Sequence, residues 1–170
     1  LDSIVDNLIL RGLTPWFNVG FGNPIYMPNL PNKTGVGCVP IYYGKEATEA
    51  WINFLKALTK HYQDKIEHYE IWNEPESDWC WKPKESYQEY AEFAIKTGRV
   101  IKENDPSAKV ITGSHFARSL EPLYTEFENG MAEVTDATTY HEYCYDEGYI
   151  LHRVKAIKAL CDSYKSGIEI

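Results

Sequence analysis

Strand signals and helix signals alternate along the whole of this 170-residue chain, and this alternation restricts the fold more than any other feature. Runs of β-branched and aromatic residues predict strands at residues 13–20, 66–72, 109–113 and 135–140. The segment Ile168-Glu169-Ile170 has the composition of a fifth strand at its beginning. Strands that alternate with helices build a parallel sheet with right-handed crossovers. The predicted fold class is therefore α/β.

The intervening helices are predicted from apolar residues that recur at helical spacing. One such face comprises Trp51, Phe54, Leu55, Leu58 and Tyr62. Similar faces lie within residues 87–101, 120–127 and 150–164. Residues 1–11 are typical of the end of a further helix, with Gly12 as its stop. In that helix we expect Ile4, Leu8 and Val5 to face inward.

Two architectures fit the alternation, an open doubly wound sheet and a closed (β/α)₈ barrel. A barrel needs eight strands and typically about 250 residues, whereas this chain has four full strands and the start of a fifth. If the fold is a barrel, residues 1–170 are expected to be part of a single domain that is truncated at both ends. Residues 21–44 form a long predicted loop rich in Gly, Pro and Asn, and loops of this length are usually functional or disordered.

The composition excludes several classes of function. A net charge of -8 argues against nucleic-acid binding, which needs clustered Lys and Arg. No apolar stretch approaches the roughly 20 residues of a membrane span. Phosphate-binding loops, dinucleotide fingerprints, zinc-binding helices and nucleophile elbows are absent from the sequence, so neither a cofactor nor a metal is implied. An enzyme that acts on a neutral substrate remains the best expectation.

The four cysteines show no C-x-x-C pairing and no zinc-like spacing. Cys161 lies on the apolar face of a predicted helix, so we expect a buried thiol there. Cys38, Cys80 and Cys144 fall in predicted loops, so the sequence is compatible with one disulfide among them if the protein is secreted.

The strand at residues 66–72 ends in an arrangement that points to catalysis. In Tyr69-Glu70-Ile71-Trp72-Asn73-Glu74-Pro75, apolar and aromatic residues give way abruptly to an amide and a carboxylate. The active sites of (β/α)₈ barrels lie at the carboxyl ends of the strands. The segment resembles the acid/base motif of the clan A glycoside hydrolases, a large group of retaining barrel glycosidases. This resemblance implies a partial (β/α)₈ barrel in which Glu74 protonates the departing glycosidic oxygen.

Other segments resemble family 39 of that clan, the β-xylosidases and related enzymes. Residues 1–7 are similar to the family's helix before the third barrel strand. Gly12-Leu13-Thr14-Pro15 is similar to the entry to that strand, and residues 17–21 are similar to the strand itself. The family usually has Glu-Leu where this chain has Asn18-Val19. Residues 139–143, Thr-Tyr-His-Glu-Tyr, resemble the cluster that closes the sixth strand. The similarity covers nearly the whole chain, as strands three to six and the beginning of strand seven.

The resemblance implies a role for each matching residue. Asn73 would contact the sugar 2-hydroxyl, and His141 and Tyr143 would contact substrate or orient the nucleophile. Retaining hydrolysis also needs a second carboxylate about 5–5.5 Å from the acid. Clan A places this nucleophile at the carboxyl end of the seventh strand. Glu169 lies near the beginning of that strand, so the nucleophile is expected beyond Ile170, and the chain alone is expected to be catalytically silent.

Further candidates come from the residues themselves. Trp79 and Trp81 follow Glu74 in a loop, and at least one of them is expected to stack on a sugar ring, since aromatic faces bind the C–H faces of sugars. His115, after the strand at 109–113, is a weaker substrate-binding candidate. Strand alternation places Glu70, Trp72 and Glu74 on one face, so Glu70 must be hydrogen-bonded there unless the strand bulges.

The resemblance implies a β-linked pentoside or a short plant-wall oligosaccharide as substrate, with a xyloside favoured over an arabinoside, glucoside or uronide. One alternative is a non-catalytic carbohydrate-binding or scaffold piece that retains the barrel pattern. Another is a different α/β enzyme with an open sheet, in which Glu74 does not face a central cleft. An incomplete barrel leaves open sheet edges, so we expect it to associate with itself, with the missing strands or with a complementing chain.

Overall fold

The computed structural model describes residues 1–116 and 119–170. Five helices and four strands follow one another in the order α1 (Asp2–Leu10), β1 (Trp16–Val19), α2 (Lys45–His61), β2 (His68–Ile71), α3 (Tyr87–Asn104), β3 (Lys109–His115), α4 (Glu121–Glu128), β4 (Ala137–Tyr140) and α5 (Glu147–Tyr164). Short 3₁₀ helices occupy Pro24–Tyr26, Pro40–Tyr43 and Met131–Glu133. The first two lie within the segment 21–44 that was predicted to be a loop.

The four strands form one parallel sheet in the order β1-β2-β3-β4. Consecutive strands are neighbours, which is the order of a barrel wall and differs from an open sheet that reverses at a switch point. A parallel bridge between Ala137 and Glu169 marks the beginning of the fifth strand. The predicted α/β class and partial barrel are confirmed. Three of the four strands are shorter than predicted, while β3 extends two residues further, to His115.

The hydrophobic core lies between the sheet and the helices. Strand residues such as Tyr69 and Ile71 are fully buried in it, together with Leu55 from α2 and Ile101 from α3. The hydroxyl of Ser86 accepts a hydrogen bond from the N–H of Glu89, so α3 begins with a side-chain cap. Because α2 and α3 pack on the same side of the sheet, the opposite face is left for polar residues.

The backbone departs from strand geometry just after β2. Trp72 and Glu74 have φ angles of 70° and 45°, in the left-handed region. The expected alternation therefore fails at Trp72, whose ring turns to the helix side and packs against Trp51 and Phe93 at centroid distances of 6.1 and 5.5 Å. Glu70 does keep the polar face of the sheet. The prediction that Trp72 shares that face is wrong.

Helix α1 also differs from its prediction. Val5 is buried at 1% exposure, but Ile4 is 59% exposed. The expectation that Ile4 faces inward is therefore wrong, because the described chain places no partner over that side of α1. Gly12 follows with a φ of 72°, as expected of a glycine that stops a helix. In the described residues, no helix has the length and apolarity required to cross a membrane.

Candidate active site

Glu74 lies at the carboxyl end of the sheet, where β2 stops. Its backbone N–H donates a hydrogen bond of 3.1 Å to the carbonyl of Ser114, which ties the turn to the end of β3. The following Pro75 is buried. The Glu74 side chain is 22% exposed, so its carboxyl group is partly shielded from water but still open to a ligand.

Two side chains from the segment around the end of β4 reach this carboxyl group. Nδ1 of His141 lies 2.8 Å from Oε1 of Glu74. The hydroxyl of Tyr143 lies 3.5 Å from the same oxygen, at the limit of a hydrogen bond. The structure thus brings together Glu74, His141 and Tyr143, which sequence analysis had placed at the ends of two different strands. Tyr143 is 78% exposed and borders open solvent.

Ser114 is a further member of this cluster, and sequence analysis missed it. Its Oγ lies 3.2 Å from Nε2 of His141, so both ring nitrogens of that histidine have partners. The N–H of Ser114 donates to Oγ1 of Thr139 at 3.0 Å. Ser114 is fully buried, with a φ of 58°. The available signal was its position in Gly-Ser-His at the carboxyl end of a strand.

Glu70 occupies the polar face one layer below Glu74. Its Oε2 accepts a hydrogen bond of 3.1 Å from Nδ2 of Asn18 on β1, and its Oε1 accepts one of 2.6 Å from Oγ1 of Thr139 on β4. The Nδ2 of Asn18 also donates to the carbonyl of Trp72 at 2.7 Å. The requirement that Glu70 be hydrogen-bonded is met, and Asn18 acquires a role in holding the end of β2.

Asn73 precedes Glu74 and is partly exposed. Its Nδ2 contacts Sγ of Cys80 at 3.6 Å, within the loop that follows β2. This contact is a weak hydrogen bond because sulfur is a poor acceptor. The amide therefore lies beside Glu74 with only a weak contact, which a ligand hydroxyl can replace.

Trp79 and Trp81 have opposite environments. Trp79 is 76% exposed, and the Nζ of Lys82 lies 5.7 Å from its ring centroid. Trp81 is fully buried, and its Nε1 donates to the hydroxyl of Tyr42 at 3.0 Å. Its ring also packs against Tyr90 at a centroid distance of 5.6 Å. Trp81 is therefore a core residue, and its assignment as a sugar-binding residue is corrected.

His115 is also enclosed. Its ring has no exposed surface and lies between two glutamates, with Nδ1 3.0 Å from Oε2 of Glu76 and Nε2 2.8 Å from Oε2 of Glu126. Burial alone would lower the pKa of His115, but the two carboxylates outweigh it and raise the pKa to about 9. Burial also raises the pKa of Glu126 to about 7, against the opposing charge of His115. His115 was predicted to bind substrate. It is instead part of a buried cluster with Glu76 and Glu126.

Tyr90 on α3 connects the strand ends beneath the site. Its hydroxyl donates to the carbonyl of Ile71 at 3.0 Å and accepts from the N–H of Gly113 at 3.1 Å. Burial raises the pKa of Tyr90 well above its usual range, so the hydroxyl keeps its proton. A single side chain thereby holds the ends of β2 and β3 in register.

Glu169 lies at the opposite end of the sheet from Glu74. Its Oε1 is 3.4 Å from Nζ of Lys109, the first residue of β3, and its side chain is 65% exposed. The expectation that Glu169 is at the wrong end of the barrel to act as nucleophile agrees with this position. The four cysteines are free thiols, with Cys38 and Cys161 buried. In the described part of the chain, no group of three or more His, Cys, Asp or Glu side chains could hold a metal ion.

Comparison with known proteins gives structural matches only. No protein-family model and no curated protein matches the sequence. The chain superimposes on a GH39 enzyme from Xanthomonas axonopodis pv. citri with a TM-score of 0.75 at 18% identity, covering 96% of this chain and 36% of that one. A GH39 beta-xylosidase from Caulobacter crescentus matches with a TM-score of 0.71 at 23% identity over 99% of this chain and 38% of its own. The chain therefore has the fold of part of the barrel in these structures.

The glycoside hydrolase barrel match extends beyond one family. A GH10 protein from Paenibacillus barcinonensis matches with a TM-score of 0.63 at 14% identity, covering 94% of this chain and 52% of its own. The chain spans less than two fifths of the GH39 structures described above. At these identities the matches establish the architecture alone.

Proposed function

We propose that residues 1–170 supply strands three to six, and the beginning of strand seven, of a retaining glycoside hydrolase with a xyloside-like substrate. The observation that carries this proposal is the pairing of Glu74 with His141 at 2.8 Å, at the carboxyl end of a parallel barrel sheet. Active sites of this fold lie at that end. The likeness to GH39 structures supports the substrate class.

In the first chemical step, Glu74 gives its proton to the glycosidic oxygen as the bond to the sugar breaks. A second carboxylate, contributed by residues beyond Ile170, attacks the anomeric carbon and forms a glycosyl-enzyme intermediate. Glu74 then removes a proton from water, which attacks the same carbon and releases the sugar. The contacts of His141 and Tyr143 with this carboxyl group support a role in which both side chains orient it through the two steps.

Asn73 and Trp79 complete the proposed substrate contacts. The Asn73 amide would donate to the sugar 2-hydroxyl, an interaction that strengthens as the ring flattens toward the oxocarbenium ion. Trp79 is the exposed tryptophan of the loop after Glu74, and its ring face is available for stacking on a sugar. Neither contact requires a cofactor.

The deciding experiment compares Glu74→Gln with Glu169→Gln in the protein that carries the whole barrel. Loss of a general acid reduces hydrolysis by about 10²–10⁴-fold for poor leaving groups and far less for activated aryl glycosides. We therefore expect Glu74→Gln to reduce cleavage of xylobiose far more than cleavage of 4-nitrophenyl xyloside. Glu169→Gln removes a carboxylate at the other end of the sheet and should leave both activities intact. Equal losses on both substrates for Glu74→Gln would contradict the proposal.

A non-catalytic carbohydrate-binding role is the competing proposal, and one observation favours it for the chain taken alone. Glu169, the carboxylate of the seventh strand, is paired with Lys109 away from Glu74. Binding of xylo-oligosaccharides without hydrolysis by the complete barrel would support this alternative. Turnover of xylobiose by the complete barrel would exclude it.

A further inference from the structure

Ser114, His141 and Glu74 form a continuous line of hydrogen-bonding groups. Oγ of Ser114 lies 3.2 Å from Nε2 of His141, and Nδ1 of His141 lies 2.8 Å from Oε1 of Glu74. This is the order of a serine-histidine-glutamate nucleophilic triad. However, Ser114 has no exposed surface, so no substrate carbonyl can reach its hydroxyl. Ser114 therefore does not act as a nucleophile. Its hydroxyl can instead affect the Glu74 carboxyl group through the His141 ring.

The backbone conformation at Ser114 directs its side chain toward His141. The register between β3 and β4 shifts between Gly113 and His115, which leaves Ser114 as the extra residue of a bulge. Its φ of 58° lies in the left-handed region, which is unfavourable for residues other than glycine. Bulges near active sites commonly redirect a side chain, and here the redirected hydroxyl meets His141.

The proton of the Ser114 hydroxyl needs an acceptor because the group is buried. Within the described chain, the hydrogen-bond partner of Oγ is Nε2 of His141. If Nε2 of His141 carried a hydrogen, Ser114 Oγ would accept that hydrogen bond. The proton of the Ser114 hydroxyl would then have no acceptor, which costs free energy in a buried site. The favoured arrangement has the serine donating to Nε2. A neutral imidazole then carries its single hydrogen on Nδ1.

This tautomer determines which oxygen of Glu74 can hold the catalytic proton. When Nδ1 carries the hydrogen, it donates to Oε1, so Oε1 acts as an acceptor. In the described part of the chain, both side-chain contacts of the carboxyl group, from His141 and Tyr143, reach Oε1. The acid's proton is then held on Oε2. The opposite tautomer would accept a proton from Oε1 and draw it away from the substrate.

We infer that Ser114 is a positioning residue: it holds His141 as the Nδ1–H tautomer and thereby keeps the proton of Glu74 on Oε2. The general-acid part of this inference rests on the proposed function, whereas the control of the tautomer does not. Ser114 itself touches neither substrate nor the reacting atoms. Its effect passes through the imidazole ring.

The first test measures the tautomer directly in the 170-residue chain. ¹⁵N-labelled protein is studied by long-range ¹H–¹⁵N correlation at a pH where the ring is neutral, and the His141 signals are identified by their loss in His141→Gln. We expect Nδ1 to show the chemical shift of a protonated ring nitrogen and Nε2 that of an unprotonated one. Ser114→Gly removes the hydroxyl while accepting the positive φ, and should move the signals toward the Nε2–H form.

Ser114→Cys is the conservative comparison because a thiol retains a weak donor, so its signals should lie between those of the wild type and Ser114→Gly. An Nε2–H tautomer in the wild type would overturn the inference. So would an unchanged Nδ1–H tautomer in Ser114→Gly. Both readouts are independent of any hydrolase activity.

The second test uses the complete barrel and separates this inference from the proposed function. Ser114→Gly should lower kcat for xylobiose about 10-fold, the effect of losing one hydrogen bond to the acid's partner, with KM little changed. Activated aryl xylosides should be affected less. A purely structural role would instead reduce both activities equally. If Glu74→Gln fails its leaving-group test while the tautomer still depends on Ser114, the proposed function is wrong and the tautomer control stands.

Discussion

Asn18 and Glu70 are joined across β1 and β2 by a hydrogen bond of 3.1 Å, from Nδ2 of the amide to Oε2 of the carboxyl group. The other oxygen of Glu70 accepts from Thr139 on β4. Residues of three strands therefore meet on the polar face of the sheet, directly below the turn that carries Glu74. Glu70 is only 6% exposed, so these partners compensate for the loss of water.

Glu70→Ala is expected to lower the free energy of unfolding by about 1–2 kcal/mol, because the Asn18 amide and the Thr139 hydroxyl lose an acceptor that water replaces only in part. Glu70→Gln keeps one oxygen that accepts from Asn18, and its amide N–H can donate to the Thr139 hydroxyl. The free energy of unfolding should therefore fall less than in Glu70→Ala. Urea denaturation of both variants measures the difference. Equal destabilisation by Ala and Gln would contradict the proposed hydrogen-bond arrangement.

Stability should fall at alkaline pH through the cluster of His115, Glu76 and Glu126. The folded-state pKa of His115 is raised to about 9, whereas an unfolded histidine titrates near 6.5. The stabilisation from the charged ring is therefore complete below pH about 6.5 and is lost as the pH rises through about 9. The raised pKa of Glu126 changes stability in the same direction, between pH about 4.5 and 7.

His115→Gln removes the titrating ring and should lower the free energy of unfolding by about 3 kcal/mol at pH 6, the linkage for a pKa raised from about 6.5 to about 9. At pH 9 the difference from the wild type should be much smaller. Urea denaturation at both pH values checks this, with the exposed histidine variant His152→Gln as the control. A difference that does not change with pH would argue against a charged His115.

Near Glu74, some features of the fold could be predicted from the sequence and others could not. The strand and helix order followed from periodicity, and the position of Glu74 at a strand end followed from the Trp-Asn-Glu-Pro segment. The face of Trp72 was wrong because alternation assumes extended backbone, and φ is 70° at this residue. Ser114 was missed because its role depends on a bulge between β3 and β4. A one-residue change of register leaves no trace in the spacing of a single strand.

The two tryptophans differ for a related reason. Sequence reasoning treated Trp79 and Trp81 alike, since both lie in the same loop and two exposed tryptophans are unfavourable on a surface. Only tertiary packing distinguishes them. The ring of Trp81 is enclosed by aromatic residues from α3 and from the 3₁₀ helix before α2, and its burial depends on how these elements pack together.

Substituting each tryptophan separates binding from stability. Trp79→Ala should weaken binding of xylo-oligosaccharides by about 5- to 10-fold, the loss of one aromatic contact, with the free energy of unfolding changed by less than about 0.5 kcal/mol. Trp81→Ala should lower the free energy of unfolding by about 3–5 kcal/mol because it opens a core cavity. Calorimetric titration and urea denaturation measure the two effects. Normal oligosaccharide binding by Trp79→Ala would remove this residue from the proposed site.

Thiol reactivity should divide the four cysteines into two pairs. Cys38 and Cys161 have no exposed surface, and burial raises the pKa of Cys161 to about 11. Cys80 and Cys144 are partly exposed. Because the thiolate is the reactive form, Ellman's reagent at pH 8 should modify Cys80 and Cys144 in the native chain and all four thiols in denaturant. Rapid modification of Cys161 in the native chain would show that α5 is not packed as described.

The 170-residue chain should associate with itself through the edge formed by α1 and β1. Within the described residues, β1 pairs with β2 alone, so its other side lacks a neighbouring strand. Leu10 and Leu13 are 83% and 55% exposed on this side of the chain, which combines unpaired backbone with apolar surface. Sedimentation velocity over a range of concentrations should therefore detect dimers or larger species.

Leu10→Lys places a charge on that edge and should shift the distribution toward monomer. Leu151→Lys is the control, because Leu151 is also an exposed leucine, at 55% exposure, but belongs to α5 rather than to α1 or β1. It should leave association unchanged if the α1–β1 edge is the contact surface. If the wild-type chain stays monomeric at high concentration, this edge is not a contact surface. That result would contradict the prediction that an incomplete barrel associates through its open edge.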